Sequence, residues 1–370
     1  MSANNILQYE SKIWNTANLL RGCGIKESEW PSFMMPFFAL AMIESRLLRM
    51  YNELEKEIGK DELEALKAES PDEFQTLIGD KGQGFNIYLL QHNKTLRALC
   101  QNNKTFDVDF DAYLHGFDSE TKNLLGVDAS EGEKFLDIKG IINKLNAKKI
   151  LFAYTKEWSG IDLQAFNNSE ITTLEEHIKR KWADISAETA GEQYTPDDVI
   201  ALIAEIIASK ITDNEKILKI YDCTCGGGNM LFGVEDRINQ KFQRLTETFG
   251  QDWNDALYAL AKIESRFRVG SHIEHGNTLV NDKFSGEEFD VIVANPPYGV
   301  SWKGYYQDIE KDKTGRFKFL PSISDGQLLF MQHLISKMSL TGMGVVVHNG
   351  STLFSGDAGS AESSIRKWML

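Results

Sequence analysis

The tetrapeptide Asn295-Pro296-Pro297-Tyr298 combines groups that together can hold a planar amine. Two consecutive prolines lack backbone donors and keep the chain extended or turned, which leaves the carbonyls of Asn295 and Pro296 to accept from an outside donor. Asn295 adds a side-chain acceptor, and Tyr298 adds a flat ring that stacks on a π face. Two acceptors and a ring are suited to presenting an exocyclic amine to an electrophile. Alone, the tetrapeptide reads as a strand-terminating turn. Its neighbour changes that reading, because Phe289-Asp290-Val291-Ile292-Val293-Ala294 is an apolar, β-branched run of the kind that forms a buried parallel strand. Open α/β sheets place their ligands at the carboxyl ends of such strands.

A second stretch, Asp222-Cys223-Thr224-Cys225-Gly226-Gly227-Gly228-Asn229, follows a short apolar strand and precedes a helix. Glycines there let the backbone pass close to a ligand, and the helix N-terminus offers N–H groups to a carboxylate or other anion. The spacing fits neither GxGxxG nor a phosphate loop with its lysine. Cys223 and Cys225 have no second cysteine pair or histidine cluster nearby, so they read as small residues packing under the loop, and no metal is expected.

Asp252, in Phe249-Gly250-Gln251-Asp252-Trp253, ends a candidate second strand. An acid at that place accepts bonds from ribose hydroxyls, or else opens the next helix. The competing acid, Glu235, falls inside a helix and is less well placed. Gly276-Asn277-Thr278-Leu279 follows a third strand, and the Asn277 amide, donor and acceptor at once, can pair with the N6 and N1 edge of an adenine. Taken alone, this stretch is a turn. Gly191-Glu192-Gln193-Tyr194-Thr195-Pro196 opens a helix and can close over a ligand in the Asp222 loop. As a plain cap it would use Thr195 as N-cap and Pro196 as the first helical residue. Finally, Trp302 to Phe319 mixes Lys303, Lys311, Lys313, Arg316 and Lys318 with Trp302, Tyr305, Tyr306, Phe317 and Phe319. That mixture suits contact with DNA backbone and bases; the alternative is a solvated flexible loop.

The elements that must position these residues alternate after Ala187. Strands are predicted from Ile217 to Tyr221, Thr246 to Gly250, Ser271 to His275, Phe289 to Ala294 and Met343 to His348. Helices are predicted from Val199 to Ile211, from the glycine loop to about Leu245, from Asp255 to Arg266, Gln327 to Met338 and Ser360 to Leu370. This alternation predicts a Rossmann-like α/β domain with a doubly wound, mostly parallel sheet over residues 186–370. Residues 1–185 are expected to form an all-α N-terminal domain. After Pro36, for example, Leu40, Ile43, Leu47, Tyr51 and Leu54 recur at steps of three and four, with Glu44, Arg46, Arg49 and Glu55 on the other face, read as solvated.

Composition bounds the function. A chain of 370 residues favours two domains, and 42% hydrophobic with 25% charged residues is ordinary for a globular protein. A net charge of -14 argues against a protein that coats nucleic acid by itself, so a DNA substrate would require another subunit or a local basic patch. Four cysteines without a signal peptide suggest reduced thiols in a cytoplasmic protein. The longest apolar block, Phe33 to Ile43, contains a proline and falls short of the roughly 20 residues that span a bilayer, so no membrane contact is expected.

In this order the motifs resemble an S-adenosylmethionine-dependent adenine-N6 DNA methyltransferase and, more narrowly, the modification subunit of type I restriction-modification systems. The resemblance is carried by Trp14 to Arg21, Gly191 to Pro196, Tyr221 to Gly228, Gly250-Gln251-Asp252 with Leu257 to Lys262, Gly276 to Leu279 and Asn295 to Gly299. Phe330-Met331-Gln332-His333-Leu334 and Asn349-Gly350 to Phe354 match as well, so nearly the whole chain is covered. Three departures are a cysteine at Cys223 where the family usually has proline, an aspartate at Asp252 where it has glutamate, and a further strand pair expected beyond Leu370. The sheet is therefore expected to be incomplete at its C-terminal end.

The resemblance implies transfer of a methyl group from S-adenosylmethionine to N6 of a flipped adenine in duplex DNA. Glu192, Gln193, Tyr194, Thr195, Pro196 and Asp197, with Asp222, Thr224, Cys225, Gly226, Gly227, Gly228 and Asn229, would hold the methionine part of the cofactor. Asp252 would hold its ribose, with Trp253 a further cofactor contact, and Asn277, Thr278 and Leu279 its adenine. Asn295 and the Pro296 carbonyl would accept the N6 hydrogens, with Pro297 shaping the turn and Tyr298 stacking on the base. Implied partners are duplex DNA, a sequence-specificity subunit, a second modification subunit and a restriction subunit. The helical domain would clamp DNA and contact subunits. Two alternatives stay open: a methyltransferase of another planar amide or amine, such as glutamine or rRNA guanine, against which the match at Trp14 to Arg21 counts, and a cofactor-binding assembly module without catalysis.

Overall fold

β-Branched and aromatic residues form five strands, β1 (Leu218–Asp222), β2 (Thr246–Asp252), β3 (Ser271–His275), β4 (Phe289–Ala294) and β5 (Met338–Val346). They make one sheet in the order β3-β2-β1-β4-β5, and every pairing is parallel. The chain is described by a computed structural model over residues 3–80, 84–128, 135–185, 195–211 and 217–370. It divides into two compact units, residues 1–186 with 263–268, and residues 187–262 with 269–370.

Side chains alternate across the sheet and bury both of its faces. Ile220, Ile273, Val291 and Val293 pack with Ile200, Ile203 and Ile207 of the Asp197–Ala208 helix and Leu231, Val234 and Ile238 of the Asn229–Phe242 helix. On the opposite face Tyr221, Phe249, Phe289, Ile292 and Ala294 pack with Trp302, Ile309 and with Leu329, Phe330 and Leu334 of the Gln327–Ser336 helix. This is the doubly wound, parallel sheet expected from the alternation.

Two boundaries differ from the sequence expectation for physical reasons. β5 begins at Met338 rather than Met343, because Phe289 pairs with Met338 and Val291 with Met343, so the intervening residues bulge out of register. Leu340, within that bulge, is fully exposed, and the stretch lacks the apolar pattern that marks a buried strand. The first helix of this unit begins at Asp197, with Pro196 as its N-cap and no side-chain cap bond. Thr195 is therefore not the N-cap; its hydroxyl is engaged elsewhere.

The helical unit is organised on the 29-residue Trp30–Ile58 helix, which continues through Pro36. The bond lost at the proline is offset by burial of Phe33, Phe37, Phe38, Leu40, Ile43 and Leu47. Its polar face is not simply solvated. Arg46 is buried, and the Glu44 carboxylate accepts from the Leu96 N–H and the Tyr113 hydroxyl, both at 2.8 Å. Burial pushes Glu44 up to about 7 despite those bonds. Among the described residues no helix is long and apolar enough to cross a membrane.

Candidate active site at the carboxyl edge of the sheet

β1 and β4 are hydrogen-bonded neighbours, with Ile220 opposite Val291 and Tyr221 opposite Ile292. The strand order reverses there, since β1 is flanked by β2 on one side and β4 on the other. The glycine loop after β1 and the Asn295-Pro296-Pro297-Tyr298 turn after β4 thus leave adjacent strands at a topological switch point.

The glycine loop is fixed by its backbone. Gly226 and Gly228 have φ of +55° and +85°, left-handed values that side chains other than glycine rarely adopt. A Cβ on Gly228 would strike the Phe232 ring at 2.3 Å, whereas over Gly226 the nearest atom would be 4.0 Å away. Space is therefore left above Gly226 and closed beneath Gly228. Asp252 grips this loop from β2: its Oδ2 accepts from the Gly226 N–H at 2.8 Å and its Oδ1 from the Asn254 N–H at 2.9 Å. Asp222 is buried and accepts from the Thr224 N–H at 2.9 Å. Burial pushes its carboxyl up to about 8, and the nearby Asp252 charge adds to that rise. Cys223 and Cys225 are buried, and desolvation raises both thiols well above their usual range, so they pack under the loop as neutral groups.

Asn295 follows the last residue of β4, and its Nδ2 donates to the Thr195 hydroxyl at 3.0 Å. With Nδ2 placed at the Thr195 hydroxyl, the acceptor oxygen Oδ1 lies on the other side of the amide, where it is buried. Pro296 is buried, while Pro297 and Tyr298 are half-buried. The turn after Tyr298 is held by Asp325, whose Oδ1 accepts from the Gly299 N–H at 3.2 Å.

The segment after β3 is more tightly engaged than its sequence suggests. Asn277 Oδ1 accepts from the Leu279 N–H at 3.0 Å, so the acceptor side of its amide is engaged within the turn. Thr278 and Leu279 are buried, with the Thr278 hydroxyl donating to the Cys223 carbonyl at 2.7 Å. Gln251, buried in β2, donates to the carbonyls of Gly276 at 3.1 Å and Asn281 at 2.7 Å and supports this turn from beneath. Its mark in the sequence is a glutamine inside a buried strand.

Other predicted residues fall less simply. Glu192, Gln193 and Tyr194 lie outside the described residues. Asp197 pairs with Arg237 and ties two helices together, and Trp253 is largely exposed. In the basic and aromatic stretch, Lys303, Lys311, Lys313 and Lys318 are exposed, whereas Trp302 and Arg316 are interior. Trp302 donates to the Ser322 carbonyl at 2.9 Å. Arg316 spends its donors on Asp312, on the carbonyls of Thr278 and Leu279, and on His333. These two are structural anchors rather than surface contacts, and the loop they hold is ordered by them.

The edge therefore offers an open glycine loop flanked by two acids, an amide held by a hydrogen bond and a ring three residues further on. Known proteins are similar to this chain in sequence and in fold. The chain is 23% identical to the type I restriction enzyme MpnII methylase subunit of Mycoplasma pneumoniae, covering 98% of this chain and 70% of that one. It is 23% identical to the MjaIX methylase subunit of Methanocaldococcus jannaschii, again over 98% of this chain but 64% of the relative's length. In fold it resembles the crystal structure of a type I restriction-modification methyltransferase subunit from Streptococcus thermophilus, with a TM-score of 0.74 at 21% identity, covering 98% of this chain and 78% of that one. Residues 169–370, which include every described part of the site, match the family of N-6 DNA methylases. More than half of the chain being matched, the protein belongs to the N-6 DNA methylase family.

Proposed function

We propose that this protein transfers a methyl group from S-adenosylmethionine to N6 of an adenine flipped out of duplex DNA, as the modification subunit of a type I restriction-modification complex. The observation that carries this reading is the Asn295–Thr195 bond, which holds an amide at the end of β4, the strand that neighbours β1 and its glycine loop. The loop fits the cofactor: the open approach over Gly226 admits a ligand against the backbone, and two carboxyl groups stand ready for an ammonium and for ribose hydroxyls.

When bound, the cofactor supplies a methyl group already activated by the positive sulfonium. The chain contributes positioning. Asp222 and the Thr224–Asn229 loop, with the Thr195–Asp197 entry, hold the methionine end, Asp252 the ribose, and the Asn277–Leu279 turn the adenine. Asn277 acts there as a donor. Asn295 Oδ1 and the Pro296 carbonyl accept the two hydrogens of the target amine, which localises its lone pair toward the methyl. Tyr298 stacks on the extruded base. The exposed lysines of 303–318 meet the DNA backbone, but a net charge of -14 leaves most of the grip to a specificity subunit. The helical unit clamps DNA and contacts a second modification subunit and the restriction subunit, and the complex works in the cytoplasm.

The test is transfer of labelled methyl from S-adenosylmethionine to duplex DNA with and without a sequence-specificity subunit. Transfer that depends on that subunit is the expected result, and absence of transfer in its presence sinks the reading.

A further inference from the structure

The segment Trp302–Phe319 follows the Asn295–Tyr298 turn, and its cations divide into two kinds. Four lysines face solvent. The fifth cation, Arg316, is 7% exposed and turns inward. Its Nε donates to Asp312 Oδ2 at 2.8 Å, so the segment carries its own counter-ion. Its Nη1 donates to the Thr278 carbonyl at 2.8 Å and its Nη2 to the Leu279 carbonyl at 2.7 Å. Nη1 also reaches His333 Nδ1 at 3.1 Å. Arginine has only donors, so His333 Nδ1 is the acceptor, and its proton sits on Nε2, which donates to the Tyr221 hydroxyl at 2.9 Å.

These bonds close a ring. Thr278 Oγ1 donates to the Cys223 carbonyl at 2.7 Å, and Cys223 lies two residues after Tyr221. Arg316 thus joins the 302–319 segment by hydrogen bonds to the turn read as the adenine side of the cofactor site, beside the apolar packing of Leu279 with Trp302 and Ile309. The segment's other anchors lead elsewhere: Trp302 to the Ser322 carbonyl, and the N–H groups of Lys318 and Phe319 to Gln332 of the Gln327–Ser336 helix. A planar fork with donors in three directions makes this junction, a geometry that a lysine ammonium does not reproduce.

We propose that Arg316 is a positioning residue that couples the two substrates, so that order imposed on the 277–279 turn by the cofactor is passed to the DNA-facing lysines of 303–318, and the reverse. This rests on the methyltransferase reading above. By linkage, the cofactor product should tighten DNA binding by the same factor by which DNA tightens the product.

The experiment measures the Kd of S-adenosylhomocysteine by calorimetry, with the specificity subunit present, with and without a duplex carrying that subunit's site. It is run on the wild type, Arg316→Lys and Arg316→Gln, with Lys210→Gln, an exposed lysine outside the 302–319 segment, as a surface control. The expected wild-type coupling is about fivefold or more, kept by Lys210→Gln and brought within about twofold of unity by both Arg316 variants, which still bind the product. Equal coupling in wild type and Arg316 variants, or none in the wild type, overturns the proposal. Should the variants fail to fold, hydrogen exchange on the wild type decides: the product alone should slow the 303–318 amides, and unchanged exchange there overturns it. A wild type that binds no S-adenosylhomocysteine at all refutes the methyltransferase reading instead.

Discussion

Asn295 Nδ2 donates to Thr195 Oγ1 across 3.0 Å, joining residues 100 positions apart in the sequence. The hydroxyl that would have capped a helix instead orients an amide at the end of β4. One bond therefore ties the entry of the first α/β helix to the turn proposed to receive the target amine.

Thr195→Val should free that amide to rotate. The loss of a single neutral hydrogen bond, about 1 kcal/mol, corresponds to a fall in kcat of roughly fivefold. Thr195→Ser should restore the rate. Steady-state kinetics with both variants check this, and an unchanged kcat for Thr195→Val would show that the bond does not orient the reacting group.

Asp252→Ala removes the acceptor of the Gly226 and Asn254 N–H groups as well as the carboxylate proposed for the cofactor ribose. Charge-assisted bonds of this kind are worth about 1.5–3 kcal/mol, so S-adenosylhomocysteine should bind at least roughly tenfold more weakly in calorimetry. Asp252→Asn should fall between. Wild-type affinity in Asp252→Ala would leave this residue a loop brace and nothing more.

Asp222 predicts a pH dependence. Its carboxyl is raised by burial from 3.8 to about 8, so between those values the folded chain keeps a proton that the unfolded chain releases. Its contribution to stability is fully present below about 4 and is lost as pH rises toward 8. The unfolding midpoint of Asp222→Asn should decline less over that window than the wild type's. An ammonium beside Asp222 favours its ionised form, so wild-type cofactor affinity should rise with pH up to about 8, and flatten in the variant. Parallel wild-type and variant profiles would contradict this placement.

The parts of this site that the sequence reveals are those set by local chemistry. The run Phe289–Ala294 reads as a strand because its residues are apolar and β-branched, and the turn after it reads as a turn because two prolines leave little choice. What stays hidden depends on partners distant in the chain. Thr195 is equally suited to a cap or to a neighbour's amide, and only the fold decides between them. Arg316 among lysines reads as a DNA contact, yet Asp312 and two carbonyls draw it inside. Glu44 and Arg46 occupy a face that looks solvated until other helices cover it. The early start of β5 is concealed by a bulge whose exposed Leu340 breaks the apolar pattern.

The most direct test of the central claim is nucleoside analysis of duplex DNA after incubation with S-adenosylmethionine, the specificity subunit and either wild type or Asn295→Ala. The account predicts N6-methyladenine with the wild type and none with Asn295→Ala, although the variant binds S-adenosylhomocysteine within about twofold of the wild type, because Asn295 is assigned to the target amine and not to the cofactor. N6-methyladenine formed by Asn295→Ala at the wild-type rate, or a wild-type product methylated at another atom, would contradict it.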